Sequence, residues 1–189
     1  MAVLSIAHLG HPVLRRIADP VDLDALTAPG DNALQSFIDD MIDTMHAEGG
    51  VGIAAPQVQR SLQIMVVEYQ GNERYPDGSE IPLTVYVNPV ITRTSDDLVP
   101  FWEGCLSVKD LRGLVERPSA CTMEAYTRQG EKVVVEASGF LAVVLQHEID
   151  HLLGKVFLDR MTDLTKLAYE KEFVTYWAPQ PEEAATENP

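Results

Sequence analysis

Several things are scarce in this chain, and each scarcity excludes something. Only two cysteines, Cys105 and Cys121, occur in 189 residues, too few for a disulfide-stapled scaffold. Together with an N-terminus that lacks a basic start and a long apolar core, they point to a reducing, cytoplasmic compartment and no secretory signal. Long hydrophobic runs are missing. In the second half the longest is Phe140 to Leu145, far below the roughly 18 residues a membrane span needs. Basic residues are few, 14 Lys and Arg against 29 Asp and Glu, for a formal charge of −15. A field of that sign repels phosphate backbones, so no nucleic-acid partner is expected. Histidine is sparse too, with five in all and none beyond His151. No internal repeat or heptad run is visible.

What remains is an ordinary globular composition, 46% hydrophobic and 23% charged, at the length of one domain with a real core. The opening stretch is punctuated by Gly10, Pro12 and Pro20 and reads as extended chain and turns. Leu34, Phe37, Ile38, Met41, Ile42 and Met45 recur at helical spacing. Asp31 or Asn32 can cap that helix and Gly49–Gly50 can end it. Segments 62–68 and 83–90 read as strands around a Gly/Asp/Pro loop at 71–79. A hairpin is expected around Arg128–Gln129–Gly130, then a helix from about Ser138 to Leu153 whose first turns are apolar on every side and therefore buried. A last helix is expected over 164–177, followed by a disordered acidic tail at 178–189. The domain proper spans 1–165. The expected class is α+β, with mixed or antiparallel sheets packed around the buried central helix.

That helix carries "QHEIDHLLG", residues 146–154. His147 and His151 lie four residues apart, so both imidazoles leave one face, stacked a turn apart. Glu148 stands beside the first, where a carboxylate could reach a metal-bound water without being a ligand. A divalent cation lowers the pKa of bound water toward about 7, and a neighbouring base takes the proton. Two histidines leave the set incomplete, and the missing ligand is not downstream. His8 and His11 sit in turns and His46 at a helix end, which suits surface or capping roles. Cys105 lies upstream in "FWEGCLSV", a segment without a clean strand or helix pattern, and a His₂Cys set leaves an open position for water.

A third stretch, "GGVGIAAPQV" at 49–58, places small residues around Gln57. Taken in order, "GVGIAAPQ", "EGCLS" and "QHEIDHLLG" resemble the three signature motifs of the peptide deformylases, over roughly residues 5–165. The resemblance implies that Cys105, His147 and His151 bind the metal, commonly Fe²⁺ with Zn²⁺, Ni²⁺ or Co²⁺ as substitutes. It implies Glu148 as general base and acid, with the Leu106 backbone N–H and the Gln57 amide as oxyanion donors. Fixed donors of that kind supply about 3–4 kcal/mol each. Gly50 and Gly52 would admit substrate main chain. Phe140, Val143 and Val144 form an apolar stripe leading up to His147, and with Val51 and Leu106 would take the methionine side chain. Arg112 stands where the family places a substrate-side arginine. Metal-bound imidazoles usually donate their other N–H, which makes Glu103 a candidate acceptor. Asp150 needs a partner, for which Arg117 and Arg160 compete.

Two departures stand out. "VKDLRG" follows "EGCLS" where many members have a proline–glycine turn, and the loop "NERYPDGSEIPL" is long enough to overhang the cleft. The C-terminal segment sets Lys166 and Lys171 against Glu170 and Glu172, so it lacks the basic helix through which some members dock on the ribosome. The expected partners are therefore N-formyl-Met peptides and nascent chains, met by a monomer with at most transient ribosome proximity. Two other readings compete: a zinc endopeptidase, and a non-catalytic metal-stabilised binder of formyl-Met peptides. Against the first, the third ligand lies 42 residues before His147. Against the second, a binder would need neither Glu148 nor Gln57.

Overall fold

The computed structural model describes residues 2–30, 32–71 and 78–178. Asp31, most of the 71–79 loop and the tail from 179 lie outside them. The elements in order are α1 (Leu23–Thr27), α2 (Ala33–Ala47), β1 (Gly52–Ala54), β2 (Ile64–Tyr69), β3 (Ile81–Thr94), β4 (Leu98–Cys105), β5 (Val108–Pro118), β6 (Ala120–Tyr126), β7 (Lys132–Ser138), α3 (Gly139–Leu152), β8 (Leu167–Tyr169) and α4 (Glu170–Tyr176). Short 3-10 turns at Pro12–Arg15, Ala55–Val58, Phe157–Arg160 and Leu164–Lys166 join them.

Two sheets form, both antiparallel throughout: five strands in the order β1-β2-β3-β6-β7, and three in the order β4-β5-β8. The β2 sequence, apolar at four successive positions, is buried on both faces because each face has a helix. Ile64 and Val66 join Phe37, Ile38, Met41 and Met45 of α2. Met65 and Val67 join Ala142, Leu145, Ile149 and Leu152 of α3. This follows from the two-residue period of a strand. Helix α2 starts where the Asn32 side chain accepts the Leu34 and Gln35 N–H groups at 2.9 and 3.3 Å. It ends before Gly49, whose φ of +63° suits glycine. Helix α3 is buried along ten of its residues, as its continuous apolar start requires.

Two segments differ from the sequence expectation. Residues 98–118 form a long hairpin, β4–β5, where no strand pattern is evident. Its residues Glu103, Arg112 and Arg117 are buried charges, and they break the apolar alternation by which strands are recognised. The helix expected over 164–177 is present only as Glu170–Tyr176. Leu167–Tyr169 instead pairs with Leu111–Gly113, so the ladder offered by β5 overrides local helix preference. No helix among the described residues is long and apolar enough to cross a membrane.

Candidate active site

Helix α3 and strand β4 meet at a cavity of ≈ 200 Å³. Glu103 and Cys105 of β4 both reach α3, the first at His147 and the second at His151. Across from them are His147 and His151. The ligand atoms of Cys105, His147 and His151 all lie within 4.8 Å of one another. Cys105 Sγ is 3.2 Å from His151 Nε2, and the two imidazole rings stand 5.2 Å apart at 77°.

One nitrogen of His147 is committed elsewhere. Its Nδ1 meets Glu103 Oε2 at 2.6 Å, which leaves Nε2 for the site. Glu103 is held in turn by Arg117, whose Nε and Nη2 donate to its two oxygens at 2.5 and 3.0 Å. Arg117 also donates through Nη1 to Asp150 at 2.9 Å, and Arg160 binds the same carboxylate. Both arginines therefore serve Asp150, where the sequence could not separate them. Burial would raise the Glu103 carboxyl, but hydrogen bonds from His147 and Arg117 outweigh it and hold the pKa at about 2. Burial would raise the Cys105 thiol as well, and the His151 and His147 imidazoles overcome it, keeping the thiol well below its usual range. A thiolate beside two imidazoles is a soft donor set for a borderline divalent cation. The residues present fit such an ion.

Glu148 points to the same place with different chemistry. It is buried, its Oε2 has no hydrogen-bond partner among the described residues, and desolvation raises its pKa to about 7 despite the nearby histidines. Its carboxylate occupies the space a side chain at position 52 would need, since a Cβ on Gly52 would stand 2.7 Å from Glu148 Cδ. Gly52 thus makes room for Glu148. Gly50 is similarly tight, with a Cβ there meeting Leu106 Cδ1 at 3.0 Å.

Gln57 sits in the 3-10 turn after β1 and is 1% exposed. The Ala54 N–H donates to its Oε1 at 2.8 Å. That bond orients the amide, and Nε2 lies 3.5 Å from Cys105 Sγ and 3.3 Å from Ser107 Oγ. An N–H donor is therefore aimed at the Cys105 member of the cluster.

The cavity is lined by Gly50, Val51 and Gly52 from around β1, by Leu106 after β4, and by Phe140, Val143 and Val144 of α3, as well as by Gln57, Glu103, Cys105, His147 and Glu148. His151 is fully buried beneath it, and Asp150 faces a second cavity behind the helix, shared with Arg117 and Arg160. Arg112 reaches the cavity, but its guanidinium is bound by Glu170. The other histidines stay out of the cluster. His11 caps the first 3-10 turn and His46 meets Glu68, while His8 lines the cavity. Sequence reasoning did not assign Ser107, the Arg117–Glu103 link, or the cavity-lining Glu48 and Glu170. Nothing in the local sequence pattern of 98–118 signals the link, because it joins residues of two strands and a helix.

The comparisons agree with this geometry. The family model described as polypeptide deformylase matches residues 3–167. Peptide deformylase 1 of Bordetella pertussis is 44% identical over 165 residues, 87% of this chain and 91% of that protein. Peptide deformylase 2 of Pseudomonas putida is 44% identical over 167 residues, 88% and 92% of the two chains. Among solved structures, the Met-Ala-Ser-bound class I type b peptide deformylase of Acinetobacter baumannii superposes with a TM-score of 0.81 at 42% identity, covering 85% of this chain and 99% of its own. The Synechococcus elongatus enzyme in complex with actinonin gives 0.74 at 34%, covering 88% and 82%. With a family match across nearly nine-tenths of its length and a Cys/His/His cluster that could hold a metal ion where α3 meets β4, the chain belongs to the polypeptide deformylase family, metal-dependent hydrolases that remove the N-formyl group from the formylmethionine of newly made polypeptides.

Proposed function

We propose that deformylation here is carried by Glu148 acting beside a cation held by Cys105, His147 and His151. The observation that carries this reading is the partnerless Glu148 oxygen at a Cys/His/His cluster. The cation, Fe²⁺ by family resemblance with Zn²⁺, Ni²⁺ or Co²⁺ as substitutes, would acidify water and polarise the formyl carbonyl. The remaining work belongs to the chain. Glu148 Oε2 accepts the proton of the attacking water and returns it to the departing amine nitrogen. A carboxyl raised to about 7 suits both directions near neutrality. Gln57 Nε2, oriented by Ala54, donates to the developing oxyanion, joined by the Leu106 backbone N–H. Glu103 accepts from His147 Nδ1–H and so selects the tautomer that offers Nε2.

The peptide has a natural seat. Strand β1 ends one sheet and β4 ends the other, and residues of both line the cavity. An extended chain between those edges gains main-chain hydrogen bonds from either side. The methionine side chain then enters among Val51, Leu106, Phe140, Val143 and Val144. The tripeptide bound by the Acinetobacter baumannii relative belongs to the ligand class this seat fits. We take the enzyme to act as a monomer in the cytoplasm on chains leaving the ribosome, through one catalytic domain over residues 1–165.

The test is formate release from a formyl-Met tripeptide by anaerobically purified, Fe²⁺-loaded protein, with the acetyl analogue alongside. Formate without acetate is expected. Cleavage of internal peptide bonds would establish an endopeptidase instead. Tight peptide binding with no release would establish a binder.

A further inference from the structure

The family match stops at residue 167, yet the next elements reach the active site. Strand β8 adds to β5 through Leu167–Tyr169, which brings Glu170, the first residue of α4, to the cavity wall. There its two carboxylate oxygens accept from Arg112 Nε and Nη2 at 2.5 and 3.0 Å. Arg112 is 2% exposed and Glu170 36%, so Glu170 supplies charge to a guanidinium that water hardly reaches. Planar two-point pairing of this kind also fixes orientation.

What the guanidinium touches gives the pair its meaning. It lies against Gly104, where a Cβ would stand 2.7 Å from Arg112 Cζ. Gly104 separates Glu103 from Cys105 and is part of the β4 edge. Helix α4 grips the same strand at a second point. The Phe173 ring is 4.9 Å from Trp102 and 5.9 Å from Arg112 Cζ, and Trp177 is 5.5 Å from Trp102.

We propose that Glu170 is a positioning residue of the active site: through Arg112 it supports Gly104 and keeps the β4 edge aligned to pair with an extended peptide. The inference rests on the reading that substrate lies between the β1 and β4 edges. The C-terminal segment is thereby part of the peptide-binding wall. Glu170 acts through its pair with Arg112, so its effect falls on how extended substrates are held.

The experiment compares Glu170→Gln, Glu170→Asp and the exposed neighbour control Glu172→Gln, each anaerobically loaded and assayed for metal content. Two substrates are used, formyl-Met-Ala-Ser and the minimal formyl-methionine amide, which has no chain to pair. Expected for Glu170→Gln is a KM about tenfold higher on the tripeptide with kcat little changed. The amide should be unaffected and metal should stay at one per chain. Glu170→Asp should recover most of the loss, and Glu172→Gln should match the parent. Product-tripeptide affinity, measured by calorimetry, should fall in step with KM. Equal losses on both substrates, loss confined to kcat, or no change would overturn the proposal. Failure of the parent enzyme to release formate would instead overturn the reading on which it rests.

Discussion

In the proposed mechanism Glu148 takes its acid–base character from its surroundings. Its carboxyl is raised by burial to about 7, and one oxygen is left without a partner. Glu148→Ala should keep its metal, checked by elemental analysis, and lose turnover by about 10²–10⁴-fold, the usual worth of a positioned acid–base group. Gly52→Ala probes the same group without removing it. The added methyl must displace the Glu148 carboxylate, and misplacement near 1 Å costs about 10²-fold, so kcat should fall while KM for formyl-Met peptides holds. Cys105 carries the third prediction. A thiolate on a redox-active ion is open to oxidation, so activity should decay in air. Anaerobic handling or Ni²⁺ loading should preserve it. Undiminished activity from metal-stripped protein in air would remove the cation from the account.

At the scale of elements, the link from β5 to α3 stands out. Arg117 sits 4% exposed between Glu103 and Asp150, each 2% exposed. Removing it takes a charged partner from two buried carboxylates, leaving only His147 on Glu103 and Arg160 on Asp150 among the described residues, which costs about 3 kcal/mol. Arg117→Leu should lower the unfolding free energy from denaturant titration by that much and release metal more readily, because the His147 acceptor loses its own support. Elements also differ in how plainly the sequence announces them. Helices α2 and α3 were legible because one shows an apolar stripe and the other an unbroken apolar start. Cys105, His147 and Gln57 were legible because their motifs have fixed internal spacing. The β4–β5 hairpin was not, since Glu103, Arg112 and Arg117 occupy inward positions that ordinarily hold apolar residues. Nor was β8, whose three residues become a strand only because β5 presents an open edge. Local pattern is silent wherever a long-range partner decides the conformation.

For the whole molecule, acid tolerance follows from Glu103. Its pKa falls from 4.5 to about 2 on folding, so its contribution to stability is present above about 4.5 and is lost as pH drops toward 2. Thermal melts should show a decline across that window. Glu103→Gln, lacking the charge at every pH, should decline less steeply there. A parent profile no steeper than the variant's would mean that other carboxylates govern acid unfolding.

The cleft between two sheet edges has a further consequence for when the enzyme can act. On the proposed seat, main-chain pairing would ask little of side chains past the first, so one enzyme could serve many different chains. It does ask that the terminus be a loose thread. Once a new protein has wound its first residues into a helix or tucked them into a sheet of its own, there is nothing left for the cleft to hold. On that seat deformylation would be a race against the client's own folding, with the architecture lenient about sequence and strict about time.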